Sequence, residues 1–340
     1  VAEPAISSNA DRSAHSTAEV SAQDDEADRA EQDHNLPHLA PVTLADGEKL
    51  RVVATTNILG DVVRNVGGDH IELTTLLPVG ADPHSYNATP ADLRTLSDAH
   101  VIFIVGEGIE ESLAAVLENR EGESALIAVN TGIDLLEMGE HDDHEDEHAD
   151  EHAETHAEDE EDHHHDLDPH TWTAVPSVMH WVEIIEHVLG ELDPANAEMY
   201  EGNAAAYLAE LEALDAEIEG AVAAIPAEKR KLVTDHDTFG YFAARYGFEV
   251  IGSVIPSFST LAAPSAQELA ALQQQIEAEG VQAIFVGSTV NPNLAGQIAN
   301  DLGIQVVPLY ADSLSEPEGP APTYIDMMRY NVTAIVGALQ

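Results

Sequence analysis

The sequence predicts an α/β protein of two lobes, each a parallel sheet flanked by helices, joined by one long helix. Three observations predict it. Short β-branched runs alternate with helical segments over residues 51–130, the pattern of parallel strands covered on both faces. A second alternation of the same kind fills residues 231–310. Between them, from Asn196 to Ile225, apolar residues recur at helical spacing. A chain of 340 residues has room for about two domains.

Residues 1–48 are rich in Ala, Ser, Asp and Glu and have no apolar period, so they read as a disordered acidic tether. His34 and His38 within it read as solvated polar residues. The first lobe spans 49–192. Its strands are expected at Arg51–Asn57, Ile71–Pro78, Val101–Gly106 and Ala125–Asn130, with helices such as Ile58–Val66 and Pro90–Ala99 between them. A His/acid-rich loop, 139–166, is inserted into this lobe. The joining helix occupies 193–226. Asp193 is placed as its N-cap, Pro194 in its first turn and Pro226 at its end. Ala204, Leu208, Leu211, Ile218, Val222 and Ile225 share one face, with Asp215 the polar exception. The second lobe, 227–340, carries strands at Lys231–His236, Phe248–Ile255, Ala283–Thr289 and Gln305–Tyr310. Two lobes joined this way leave a cleft between them.

Hydrophobic residues make up 44% of the chain, enough for real cores, but aromatics are only 5%, so those cores rest on Val, Ile, Leu and Ala. Acidic residues number 64 against 12 basic ones, a formal net charge of -52. That field repels nucleic acid and anionic membrane surfaces. Acids are spread through helices as well as the tail, which suits a halophilic source, where high salt screens self-repulsion. Cysteine is absent, which excludes disulfides, thiolate zinc sites and iron–sulfur clusters. No apolar run reaches the ~18–20 residues of a membrane span.

Two segments share the tripeptide Asp-Pro-His, "ADPHSY" with His84 and "LDPHTW" with His170, both in the first lobe. Proline stiffens the backbone before each histidine. In the second lobe His236 stands where a strand ends, in "VTDHDTFGYF", and Asp312 follows the last strand, in "LYADSLSEPEG". Ligands of open parallel sheets bind outside the carboxyl ends of the strands. Two candidate ligands from each lobe can therefore converge across the cleft. Three imidazoles and one carboxylate form a tetrahedral set suited to Zn²⁺. Any one of the four alone reads more simply as a structural histidine or a helix-capping Asp.

These segments resemble extracellular solute-binding protein family 9, the zinc and manganese receptors of metal-uptake ABC transporters. The residues that carry the resemblance are "LLPVGADPHSYNATPADLRTLSDAHVIFIVGEGIEESL", "DPHTW", "VTDHDTFGYFAARYG" and "DSLSEPEGPAPTYIDMMRYN". The resemblance runs from about Arg51 to the C-terminus, broken by the His/acid loop. It implies metal ligation by His84, His170, His236 and Asp312, a site in the interlobe cleft, and a rigid joining helix that limits closure. Trp172 is implied to pack beside the site without ligating. Gly287 and Ala263 stand where the resemblance would place Glu.

The resemblance further implies a receptor that hands metal to an ABC transporter membrane permease, working as a monomer outside the cell membrane or in the periplasm. Membrane attachment is expected only through an N-terminal lipidated Cys, removed or truncated here. Zn²⁺ is the expected cargo, since imidazoles favour it over the more oxygen-seeking Mn²⁺, which stands as the alternative. Binding is expected above roughly pH 6, because the imidazoles must be deprotonated. Two other classes fit less well. A zinc hydrolase keeps one coordination position open for water, whereas four side chains can saturate the ion; an extracellular zinc buffer or adhesin would lack the transport partner.

Within the inserted loop, His141, His144, His148, His152 and His156 step by three or four residues, and His163, His164 and His165 follow. A helix would align the first five on one face. No apolar residue anchors such a helix, so the loop reads as disordered without metal, an accessory zinc collector or a plain solvated linker.

Overall fold

The computed structural model describes residues 36–119, 124–137 and 167–340. Every expected strand is present within a few residues of its predicted bounds. The first sheet contains β1 (Leu50–Ala54), β2 (Ile71–Thr75), β3 (Val101–Ile104) and β4 (Ala125–Ala128), all parallel in the order β2-β1-β3-β4. The second contains β5 (Lys231–His236), β6 (Glu249–Ile255), β7 (Ala283–Gly287) and β8 (Gln305–Leu309), parallel in the order β6-β5-β7-β8. In both, the first strand lies between the second and third. The connections therefore leave in opposite directions at that point and open a crevice at the carboxyl ends.

Helices α1 (Asn57–Gly67), α2 (Pro90–Asp98) and α3 (Ala114–Glu118) serve the first sheet. The Thr56 hydroxyl accepts the Leu59 amide at the start of α1. Thr89 and Asp92 cap the start of α2 reciprocally, with Pro90 in its first turn. Two long helices follow, α4 (Val175–Leu192) and α5 (Ala197–Val222). The second sheet is served by α6 (Gly240–Tyr246), α7 (Ala266–Glu279), α8 (Asn293–Leu302) and α9 (Tyr324–Leu339).

The expectation of one joining helix was incomplete. Helix α4 packs along α5, and α9 packs against α5 and α1. A continuous apolar cluster runs from Val52 and Phe103 of the first sheet through Trp181, Leu211 and Ile335 to Phe285 of the second. The two lobes thus share one helical layer, because α4 and α9 each offer an apolar face that α5 alone cannot cover.

The expected start of α5 was also wrong. Asp193 ends α4, its amide bonding the Leu189 carbonyl. Its carboxylate then accepts from Asn196 Nδ2 at 2.7 Å and from the Tyr200 hydroxyl at 2.9 Å. Pro194 lies in the turn between the helices, and α5 begins at Ala197. Asp215 has partners on α6, accepting the Tyr246 hydroxyl at 2.8 Å and pairing with Arg245.

The tether expectation fails for its last residues. Leu36, Leu39, Val42 and Leu44 pack against the main cluster. The Val42 amide donates to the Leu192 carbonyl at 2.8 Å and the Leu39 amide to Glu191 at 2.9 Å. These apolar residues find a groove beside the end of α4 that no periodicity announces. His38 touches Glu191 from the surface at 2.8 Å. Among the described residues, no helix is long and apolar enough to cross a membrane.

Candidate metal centre

The two Asp-Pro-His tripeptides fold alike. In each, the Asp Oδ1 accepts the backbone amide of the histidine two residues on, Asp82 from His84 at 3.0 Å and Asp168 from His170 at 2.9 Å. This is the turn that a short carboxylate makes with its own backbone, with proline holding the middle residue. Beyond that the two differ. Asp168 Oδ1 also receives His170 Nδ1 at 2.8 Å, whereas Asp82 Oδ2 accepts Ser85 and, from the second lobe, Thr260 at 2.6 Å.

His236 is the last residue of β5, beside the point where the second sheet's connections diverge. Asp235 Oδ1 faces its Nδ1 at 3.2 Å, and Asp235 Oδ2 accepts the Gly287 amide from β7 at 2.9 Å. Asp312 follows β8 and accepts the Thr289 hydroxyl on Oδ2 at 2.9 Å.

These four side chains converge across the two lobes. The rings of His84, His170 and His236 lie with centroids 5.2–5.8 Å apart. His236 Nε2 stands 3.8 Å from Asp312 Oδ1. One nitrogen from each histidine and one Asp312 oxygen all lie within 4.8 Å of one another. Each of the four residues is at most 2% exposed.

Six buried side-chain atoms lack a hydrogen-bond partner among the described residues. Four of them are His84 Nε2, His170 Nε2, His236 Nε2 and Asp312 Oδ1. An orphaned buried polar atom costs about 1–3 kcal/mol. Four gathered at one point form a donor set waiting for a cation. Bonds of about 2.0–2.1 Å to a tetrahedral Zn²⁺ put ligands about 3.3 Å apart, so a modest contraction would seat the ion.

Burial, with His170 and His236 nearby, depresses His84 to about 3. Burial likewise holds His170 well below the ordinary range. Both rings are therefore neutral and present lone pairs. Burial would lower His236 as well, but Asp312 and Asp235 outweigh it and raise the ring to about 9. Burial lifts Asp312 to about 6 against the opposing pull of His236. Burial also raises Asp168, to about 7.

Asp168 and Asp235, which the sequence reading did not single out, stand directly behind the rings of His170 and His236. Their signal was visible, an acid one or two residues before a histidine at a strand end or in a stiff turn. Carboxylates behind metal-binding imidazoles fix the tautomer and the ring orientation. Asp235→Asn is expected to weaken metal affinity ~10–100-fold in a competition titration, because an amide cannot accept from both Gly287 and His236. Wild-type affinity in that variant would remove Asp235 from the site's support.

Trp172 packs edge-on against His170 at 5.1 Å and its indole donates to the Ala311 carbonyl at 2.8 Å. It has no ligand atom in the cluster. Asp237, the acid next to His236 and the natural base for a hydrolase reading, lies outside the cluster, its amide bonded to the Ser257 carbonyl. His141, His144, His148, His152, His156, His163, His164 and His165 lie outside the described residues.

The chain matches known proteins over most of its length. A family profile described as zinc-uptake complex component A, periplasmic, matches residues 52–338. The manganese-binding lipoprotein of Halalkalibacterium halodurans is 33% identical over 298 residues, covering 87% of this chain and 91% of that protein. A manganese ABC transporter substrate-binding lipoprotein of Streptococcus mitis is 29% identical over 303 residues, covering 87% and 91%. Among solved structures, the Mn-bound periplasmic metal-binding protein of Candidatus Liberibacter asiaticus superposes with a TM-score of 0.73 at 29% identity, covering 86% of this chain and all of that one. The periplasmic zinc-binding protein of Treponema pallidum gives 0.72 at 27% identity, covering 86% and 99%.

Proposed function

This chain belongs to the family of periplasmic zinc-uptake complex A components, and from that membership we propose that it is an extracytoplasmic receptor delivering Zn²⁺ to the membrane permease of an ABC transporter. The family is one of receptors, not enzymes. The observation that carries the proposal is the set of four orphaned buried atoms, His84 Nε2, His170 Nε2, His236 Nε2 and Asp312 Oδ1, facing one point between the lobes. Three imidazole nitrogens and one carboxylate oxygen favour Zn²⁺ over Mn²⁺. The curated relatives named for manganese support Mn²⁺ as a second reading. Those relatives are lipoproteins, which supports attachment of this receptor by an N-terminal lipid.

Competition between Zn²⁺ and Mn²⁺ for the purified metal-free protein separates the readings. One tight equivalent with Zn²⁺ displacing Mn²⁺ is expected. Preference for Mn²⁺ would reassign the cargo, and absence of any tight equivalent would remove the receptor function.

Loading also has a proton cost with a defined sign. The metal-free site holds its proton on His236, raised to about 9, whereas His84 and His170 are already deprotonated. The metal competes with that proton for the Nε2 lone pair, so binding strengthens as pH rises and levels off near the raised value. Affinity is expected to climb about tenfold per pH unit between roughly pH 6.5 and 8.5, with one proton released per metal in weak buffer. A flat profile across that range would mean that His236 is neutral before metal arrives.

A further inference from the structure

We propose that Thr289 sets the metal selectivity of the site by confining Asp312 to a single ligand oxygen. The inference rests on the reading of the four side chains as a metal site and deepens it.

Thr289 lies in the turn that follows β7. The Val290 amide closes this turn on the Gly287 carbonyl, and the pairing of Gly287 with Leu309 sets it beside the segment that leaves β8. The Thr289 hydroxyl thereby donates to Asp312 Oδ2 at 2.9 Å. The other oxygen, Oδ1, has no partner and faces His236 Nε2 at 3.8 Å. The carboxylate is thus divided, one oxygen engaged by protein and one turned to the cation. Gly287 places nothing polar near Oδ2, its Cβ position being 3.9 Å away. Thr289 is the side chain that engages this oxygen.

The division matters because coordination number separates the two cargoes. Three imidazole nitrogens and one carboxylate oxygen complete a four-coordinate Zn²⁺ site. Mn²⁺ favours more ligands and more oxygen. With four side chains at the centre among the described residues, the direct route to a fifth protein ligand from them is the second oxygen of Asp312. Thr289 stands in that route, and a chelating carboxylate must weaken or give up its hydrogen bond. A hydrogen bond to a charged group is worth about a tenfold or larger factor in an equilibrium, so the penalty falls on the ion that needs both oxygens.

The test uses the full chain, wild type and with Thr289→Val, Thr289→Ala or Thr289→Ser, each checked for unchanged melting of the metal-free form. Two readouts are taken: the Zn²⁺-to-Mn²⁺ affinity ratio by competition, and the visible spectrum with Co²⁺, whose band intensity reports coordination number. Wild type and Thr289→Ser should give the intense four-coordinate Co²⁺ spectrum and the same ratio. Thr289→Val and Thr289→Ala should give weaker, five-coordinate bands and a Zn²⁺-to-Mn²⁺ ratio about tenfold lower. An unchanged ratio in a folded Val or Ala variant overturns the inference. So does an equal loss of both metals, which would mark Thr289 as merely structural, or a wild-type Co²⁺ spectrum that is already five- or six-coordinate. If wild-type protein binds none of the three metals tightly, the receptor reading itself fails first.

Discussion

His84→Ala is expected to lose metal affinity by ~10²–10³-fold while the metal-free protein melts within a few degrees of wild type. The first half follows from ligand count. Binding of a fully coordinated zinc is worth about 10–16 kcal/mol, and one ligand in four is about a quarter of that. A loss of ~3–4 kcal/mol corresponds to that range in dissociation constant. The second half follows from the site's orphaned atoms. His84 Nε2 is buried without a partner, so in the metal-free fold the ring adds packing but also carries an uncompensated desolvation cost. Removing the ring removes both. The turn that holds this segment survives, because Asp82 bonds the backbone amide of residue 84 rather than the ring. Metal-linked stabilisation is the sensitive readout. A metal concentration a thousandfold above the wild-type dissociation constant should add about 4 kcal/mol to wild type and only about 0.4–1.4 kcal/mol to the variant. Retained tight binding would place the site elsewhere.

Trp172→Ala is expected to cause the largest loss of stability, about 3–5 kcal/mol from the emptied volume alone. Trp172 is 2% exposed and packs on Trp181 at 6.3 Å as well as on His170. Its indole also bonds the Ala311 carbonyl, one residue before the candidate ligand Asp312 and on the opposite lobe. The substitution therefore leaves a cavity beneath one ligand and unties the residue next to another. Lower metal affinity should accompany the lower melting temperature. Trp172→Phe separates the two effects. It keeps most of the volume but leaves the Ala311 carbonyl without its donor, at a cost of about 1–3 kcal/mol. Thermal melts with and without metal distinguish these outcomes. An alanine variant as stable as wild type would show that the lobes do not depend on this indole.

The architecture was legible because parallel strands buried on both faces leave β-branched runs in the chain. Lys231–His236 was placed at its observed bounds for that reason. Repetition was informative too. The second Asp-Pro-His did more than echo the first, since both copies make the same side-chain-to-backbone turn. Local patterns misled where a residue had two possible neighbours. Asp193 resembles an N-cap because Pro194 follows it, but its amide completes the last turn of the preceding helix and its carboxylate braces Tyr200. Leu39 and Val42 looked like part of a solvated tail because the groups they bond, Glu191 and Leu192, lie more than a hundred residues away.

From the sequence alone came the kind of fold, the four candidate ligands and the acidic character, all of which reside in residue type and local spacing. Tertiary structure decided what those residues can do. It brought two candidate ligands from each lobe within 4.8 Å of one another, set Asp168 and Asp235 behind two of the rings, and turned Thr289 onto one oxygen of Asp312. A sequence period reports which way a side chain faces on its own strand or helix. It carries no information about which distant side chain it meets, and the protonation, orientation and coordination number of a metal site depend on those meetings.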